Sequence, residues 1–217
     1  MEKIYNQDTF DELISRCLSH IKLLKEINSC FNDGTGQFRE NCWAYAGEIL
    51  WCRDIYGRYY KINELVSRSI QWYEDHVVSS ELYYVLSKLY MILLMIHPFE
   101  NANGRTIFTF ISILAYSNKT ILQVPILSGT NRIHESFREV EHNTYSKLIA
   151  RAIELLKQDK LKIDKRIKVG YNIGNFDYSS LIFILFKMND EELYDEMIEF
   201  LRNSTIERNE KWIRYLD

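Results

Sequence analysis

Apolar residues recur at three-, four- and seven-residue steps along most of this chain and alternate at strand spacing in one place only. Phe10, Ile14, Cys17, Ile21, Leu24 and Phe31 form one stripe, with Thr9 and Glu12 ahead of it at capping-box spacing. The stripe predicts a first helix that stops near Asn32-Asp33-Gly34, a turn signal. Residues 43 to 60, rich in aromatics, read instead as two short strands around a turn near Asp54 to Gly57. Ile62 to His76 is helical again. Ser79-Ser80 then open a helix to about residue 96 that is apolar nearly all round, through Leu82, Val85, Leu86, Leu89, Ile92, Leu93 and Ile96. Such a helix belongs in a core. A polar stretch, HPFENANGR, breaks the pattern before Thr106 to Tyr116 resumes it. Residues 131 to 158 read as an amphipathic helix or helix pair. A loop at Gly170 to Asn175 leads to two last helical stretches, the second starting with Asn189 and Glu192 at capping spacing.

Composition narrows this picture. Only 8 Gly and 2 Pro occur in 217 residues, too few for the tight turns of a sandwich or barrel, so a mostly α protein with one hairpin is expected. No internal repeat or second core is visible. The expected division is a domain over residues 1–160 and a helical extension over 161–217, to which the sequence assigns no role. A formal charge of −3 gives no basic footprint for nucleic acid. Cys17, Cys30, Cys42 and Cys52 form no CxxC pair, and buried reduced thiols are expected. The start, MEKIYNQDTF, has no signal-peptide pattern, so the expected location is cytoplasmic, in its own cell or in one into which it is delivered. Leu82 to Phe99 is apolar, but Lys88 sits near its middle, which fits a buried helix and not a membrane span.

The candidate chemistry lies in His97-Pro98-Phe99-Glu100-Asn101-Ala102-Asn103-Gly104-Arg105. Two apolar helices flank this polar loop, and burying both fixes it rigidly. A helix starting near Gly104 presents free N–H groups and a positive dipole end, an anion site. Gly104 lets the backbone approach a phosphate, and Arg105 adds a bidentate donor. His97, at the exit of the preceding helix, is placed to take a proton near neutral pH. Phe99 reads as a plug that pins the loop to the core. A lone His at a helix end, or a lone NGR turn, is ordinarily structural; it is the whole string between buried helices that points to a site.

That string resembles the Fic domain signature, HPFx(D/E)(G/A)N(G/K)RxxR, at eight of the nine positions from His97 to Arg105 with Glu100 at the free one. GQFR at Gly36 to Arg39 is similar to the family's upstream Gly-x-Phe-Arg element. The aromatic hairpin is similar to its target-docking flap, with Gly47, Glu48, Ile49, Leu50 and Trp51 as the docking residues. Trp72 and the helix from Asn131 to Ile153 also fall where the family has them, so the likeness spans about residues 10 to 157. The resemblance implies a helical core with the motif loop at its centre. It implies transfer of AMP from ATP, with Mg²⁺, to a Tyr, Thr or Ser hydroxyl of a protein substrate. By motif match His97 is the general base, while Ala102, Asn103, Gly104 and Arg105 line the nucleotide's phosphates.

Two positions depart from the signature. Asn101 stands where an acidic residue holds Mg²⁺; an amide oxygen still ligates a hard cation, without the charge attraction. Phe108 stands at the second arginine, which removes a contact to the terminal phosphate. No Glu has Ser or Thr four residues before it, so the inhibitory (S/T)xxxE(G/N) motif of the family is missing as well. Regulation is then expected from a separate inhibitory protein or the C-terminal segment. Two alternatives stay open: another phosphate-containing donor, such as a cytidine diphosphate alcohol or a different nucleotide, or a silent binding module.

Overall fold

The computed structural model of the chain describes residues 19–39, 43–45, 49–51, 62–78, 80–122, 131–157 and 185–205. The Thr9 and Glu12 cap and the loop at Gly170 to Asn175 lie outside them. Helix α1 covers 19–29 among the described residues and buries Ile21, Leu24 and Ile27. It ends as expected in the 30–34 turn, closed by Phe31 N–H to the Asn28 carbonyl at 3.1 Å and Gly34 N–H to the Phe31 carbonyl at 2.9 Å. Glycine is required at position 34, because a Cβ there would sit 1.8 Å from the Asn28 carbonyl oxygen.

Strands β1 (Trp43–Tyr45) and β2 (Ile49–Trp51) pair antiparallel, with Trp43 opposite Trp51 and Tyr45 opposite Ile49. This corrects the expected turn at Asp54 to Gly57. The two strands are already paired at Trp43 and Trp51, before that segment begins. Residues 52–60 lie outside the description.

Four long helices make the body: α2 (Ile62–His76), α3 (Leu82–Ile96), α4 (Asn103–Ser117) and α5 (Asn131–Lys157). Helix α3 packs against both α2 and α4 and is the central element. From Tyr84 to Ile96 its only position that is not buried is Leu94, as its all-round apolar pattern requires. Its cap is Glu81 and not Ser79-Ser80: the Glu81 carboxylate accepts from Tyr84 N–H at 2.7 Å, a charge-assisted bond at the positive end of the dipole. Helix α5 is one continuous helix and not a pair. Tyr90 of α3 donates to Glu141 of α5 at 2.5 Å, and Tyr90, Phe108 and Phe137 pack edge to face around that bond.

The described part of the C-terminal segment shares this core. Leu185, Met188 and Tyr194, of which Tyr194 closes the 3₁₀ turn Glu191–Tyr194, are buried together with Met197 and Leu201 of α6 (Asp195–Asn203). Asn189 does not cap a helix as its spacing with Glu192 implied. Its side chain instead accepts from Lys88 Nζ at 3.1 Å, and the Met188 carbonyl accepts from the same ammonium. Lys88 is fully buried on α3, 4.6 Å above the Trp72 ring, and burial pushes its pKa down to about 8. A buried ammonium needs such partners, so it took the cap. Among the described residues no helix is long and apolar enough to cross a membrane.

Candidate active site

The loop between α3 and α4 is held from three sides, beginning with its own backbone. His97 ends α3 in the left-handed region (φ 50, ψ 62), its N–H on the Leu93 carbonyl at 3.0 Å. A side chain in that region costs about 1 kcal/mol, and Pro98 after it disfavours any further helical turn. Phe99 is fully buried, with its ring 5.2 Å from that of Phe38. Asn103, the first residue of α4, then ties the loop shut. Its Oδ1 accepts from Phe99 N–H at 2.9 Å and its Nδ2 donates to the Phe99 carbonyl at 2.7 Å.

The second hold comes from the 36–39 segment. Gly36 adopts φ 67, the left-handed conformation open to glycine, and a Cβ there would also meet Ser29 at 3.0 Å. Arg39 is only 4% exposed. Its Nε donates to the His97 carbonyl at 2.6 Å and its Nη2 to the Ile96 carbonyl at 3.0 Å, while its backbone N–H reaches the Pro98 carbonyl at 2.9 Å. These are carbonyls that the end of α3 leaves without partners.

The third hold is Asn28, which sequence reasoning missed. It is completely buried: Nδ2 donates to the Asn101 carbonyl at 3.1 Å and to Thr106 Oγ1 at 3.0 Å, and Oδ1 accepts from Gly36 N–H at 3.0 Å. One amide thus joins α1, the 36–39 segment, the motif loop and α4. The one signal available was a polar residue on the otherwise apolar stripe of α1.

Electrostatics define what this loop can do. Burial, then the Arg39 charge, hold the His97 imidazole down at about 4, against weaker upward pulls from the carbonyls of Phe99 and His97 itself. The ring is therefore neutral throughout the physiological range. Asn103 Nδ2, which can only donate, lies 3.1 Å from Nδ1 and favours a bare Nδ1. The neutral imidazole keeps a lone pair on one of its two nitrogens.

Five residues on, Ala102 precedes α4 as its N-cap, itself left-handed (φ 61) and without a side-chain cap hydrogen bond. The first N–H groups of α4 consequently have no side chain at their mouth. A Cβ on Gly104 would meet nothing within 4 Å, so this face of the helix start is open. The Asn103 side chain serves the loop, leaving its backbone N–H for an anion. Arg105 reaches across to Asp33, its Nη2 donating to both carboxylate oxygens at 2.7 and 2.6 Å.

Glu100 and Asn101 lie exposed on the loop. Among the described residues no three His, Cys, Asp or Glu side chains converge to hold a metal ion. Phe108 is buried between Tyr90 and Phe137, so the position of the signature's second arginine is part of the core here. Of the expected docking residues, Ile49, Leu50 and Trp51 form β2, while Gly47 and Glu48 lie outside the description.

No family model and no curated protein matches this chain. Among solved structures it is similar to a Fic domain containing signaling protein from Bacteroides thetaiotaomicron VPI-5482. That likeness has 13% identity and a TM-score of 0.43, over 95% of this chain and 78% of that one.

Proposed function

We propose that the chain is a Fic-type transferase that moves a phosphate-linked group, AMP from ATP in the first instance, to a Tyr, Thr or Ser hydroxyl of a protein. The observation that supports this best is the juxtaposition of a neutral, rigidly held His97 with the open, uncapped start of α4. A base that stays neutral is always available, and helix N–H groups aimed at a phosphate stabilise the charge that builds on it.

In the proposed step the hydroxyl oxygen bonds to the α-phosphorus as its proton passes to the unprotonated ring nitrogen of His97. The bond from that phosphorus to the pyrophosphate oxygen breaks, and pyrophosphate leaves. The backbone N–H groups of Asn103 and Gly104 and the Arg105 guanidinium face the phosphates. A Mg²⁺ ion carried with the nucleotide would be held by Asn101 and Glu100 and would neutralise phosphate charge; with a single carboxylate on this side, most of its ligands come from the donor. Phe108 gives a second reading its support. Without a cation at that position, a diphosphate-linked donor with a shorter charged tail fits the same site.

The target segment is proposed to add to the edge of β2, with Gly47, Glu48, Ile49, Leu50 and Trp51 along it, so that its hydroxyl lies near His97. Two substitutions separate the halves of this site. Gly104→Ala adds a methyl group that touches nothing in the protein, so the thermal midpoint is expected to hold or rise. Donor affinity by calorimetry should fall at least tenfold, about 1.4 kcal/mol. Leu50→Pro should lower transfer to a protein target and leave donor binding as it was. Unchanged donor binding in Gly104→Ala would remove the phosphate from the start of α4.

A further inference from the structure

We propose that Asp33, together with Phe31, is a positioning residue for Arg105 that holds its guanidinium ready for the donor's phosphates. This inference rests on the reading of the site given above and names a part of it that the motif does not contain.

Arg105 is 38% exposed and Asp33 48% exposed, so as a surface ion pair they add little to fold stability. Their geometry is nevertheless specific. Both Asp33 oxygens are met by one nitrogen, Nη2, and the ring of Phe31 lies 5.0 Å from the guanidinium carbon. Among the described residues Nε and Nη1 have no partner, so one nitrogen on each side of Nη2 keeps a donor for a phosphate oxygen. A free arginine would have to give up the freedom of its long stem on binding; one already held at Nη2 and across its face gives up less.

The holding residues are themselves fixed. Phe31 and Gly34 are placed by the backbone bonds of the 30–34 turn, and Gly34 is pressed against the Asn28 carbonyl. The Asn28 side chain bonds the Asn101 carbonyl and Thr106. The turn that orients Arg105 and the loop that orients His97 therefore hang on one buried residue. A shift of one is carried to the other, which suits a site where phosphate and base must keep a set distance.

The test uses the full chain, with ATP and inorganic pyrophosphate as probes. Asp33→Ala is expected to melt like the parent, weaken both probes about five- to tenfold and raise the KM for ATP while kcat stays the same. Asp33→Asn, which keeps one accepting oxygen, should recover most of that loss. In an Arg105→Ala background, Asp33→Ala should have no further effect. Equal or tighter binding in Asp33→Ala, the behaviour of a carboxylate that merely competes with phosphate, would overturn this proposal and leave the wider reading standing. A parent chain that binds neither probe would overturn both.

Discussion

Replacing His97 by alanine is expected to lower transfer by about 10²- to 10⁴-fold while the donor still binds, since a positioned base typically contributes that much. The fold should survive. His97 contributes its backbone to the end of α3, and its ring lies at the loop edge, 3.1 Å from Asn103 Nδ2. Alanine in the left-handed region is no worse than histidine by more than a fraction of a kcal/mol. The readout is initial rate at saturating donor, with circular dichroism as the control. A rate within threefold of the parent would take the base role from His97.

Arg39→Ala should have the largest effect on stability. Its guanidinium is buried and satisfies the carbonyls of Ile96 and His97, so truncation leaves buried acceptors unpaired at a cost of roughly 2–4 kcal/mol. At about 2–4 °C per kcal/mol for a chain of this size, the melting midpoint should drop by roughly 5–15 °C. The same variant should shift the pH profile. If His97 is the base, as proposed, its neutral form is the active one, and activity is expected to be lost as pH falls through its folded pKa of about 4. Arg39 contributes to that depression, so without it the acid limb moves up toward 6.5, although burial, the larger cause, remains. Stability follows the same sign: between 6.5 and about 4 the unfolded chain takes up a proton that the native state refuses, and folding weakens as pH falls. An acid limb that stays in place in Arg39→Ala would show that the two groups do not interact.

Much of this candidate site was legible because its residues are contiguous. His97 through Arg105 lie in one string between two apolar runs, and periodicity alone placed α3 and α4 around it. The hairpin was legible as strands but not in register, because the polar and glycine residues at 54–57 read locally as a turn while the pairing of Trp43 with Trp51 is set elsewhere. Asn28, Phe31 and Asp33 were not legible as parts of the site. Asn28 and Asp33 reach residues more than 70 positions away, and nothing local marks them except the turn that they form. Lys88 was read correctly as a sign of burial, but its partners, Met188 and Asn189, lie 100 and 101 residues on. Those contacts overrode a capping pattern that looked sound by itself. Phe108 was read as a missing arginine; the structure adds what replaced it, an aromatic contact with Tyr90 and Phe137.

The most direct measurement is label transfer from ATP carrying a labelled α-phosphate, followed on the chain itself and on added protein, with wild type and His97→Ala side by side. The account predicts covalent label on a hydroxyl side chain in the wild type, released pyrophosphate in equal amount, and neither in His97→Ala. Label that appears equally in both proteins would contradict it. So would a folded wild type that transfers nothing from ATP, from the other nucleoside triphosphates or from a cytidine diphosphate alcohol.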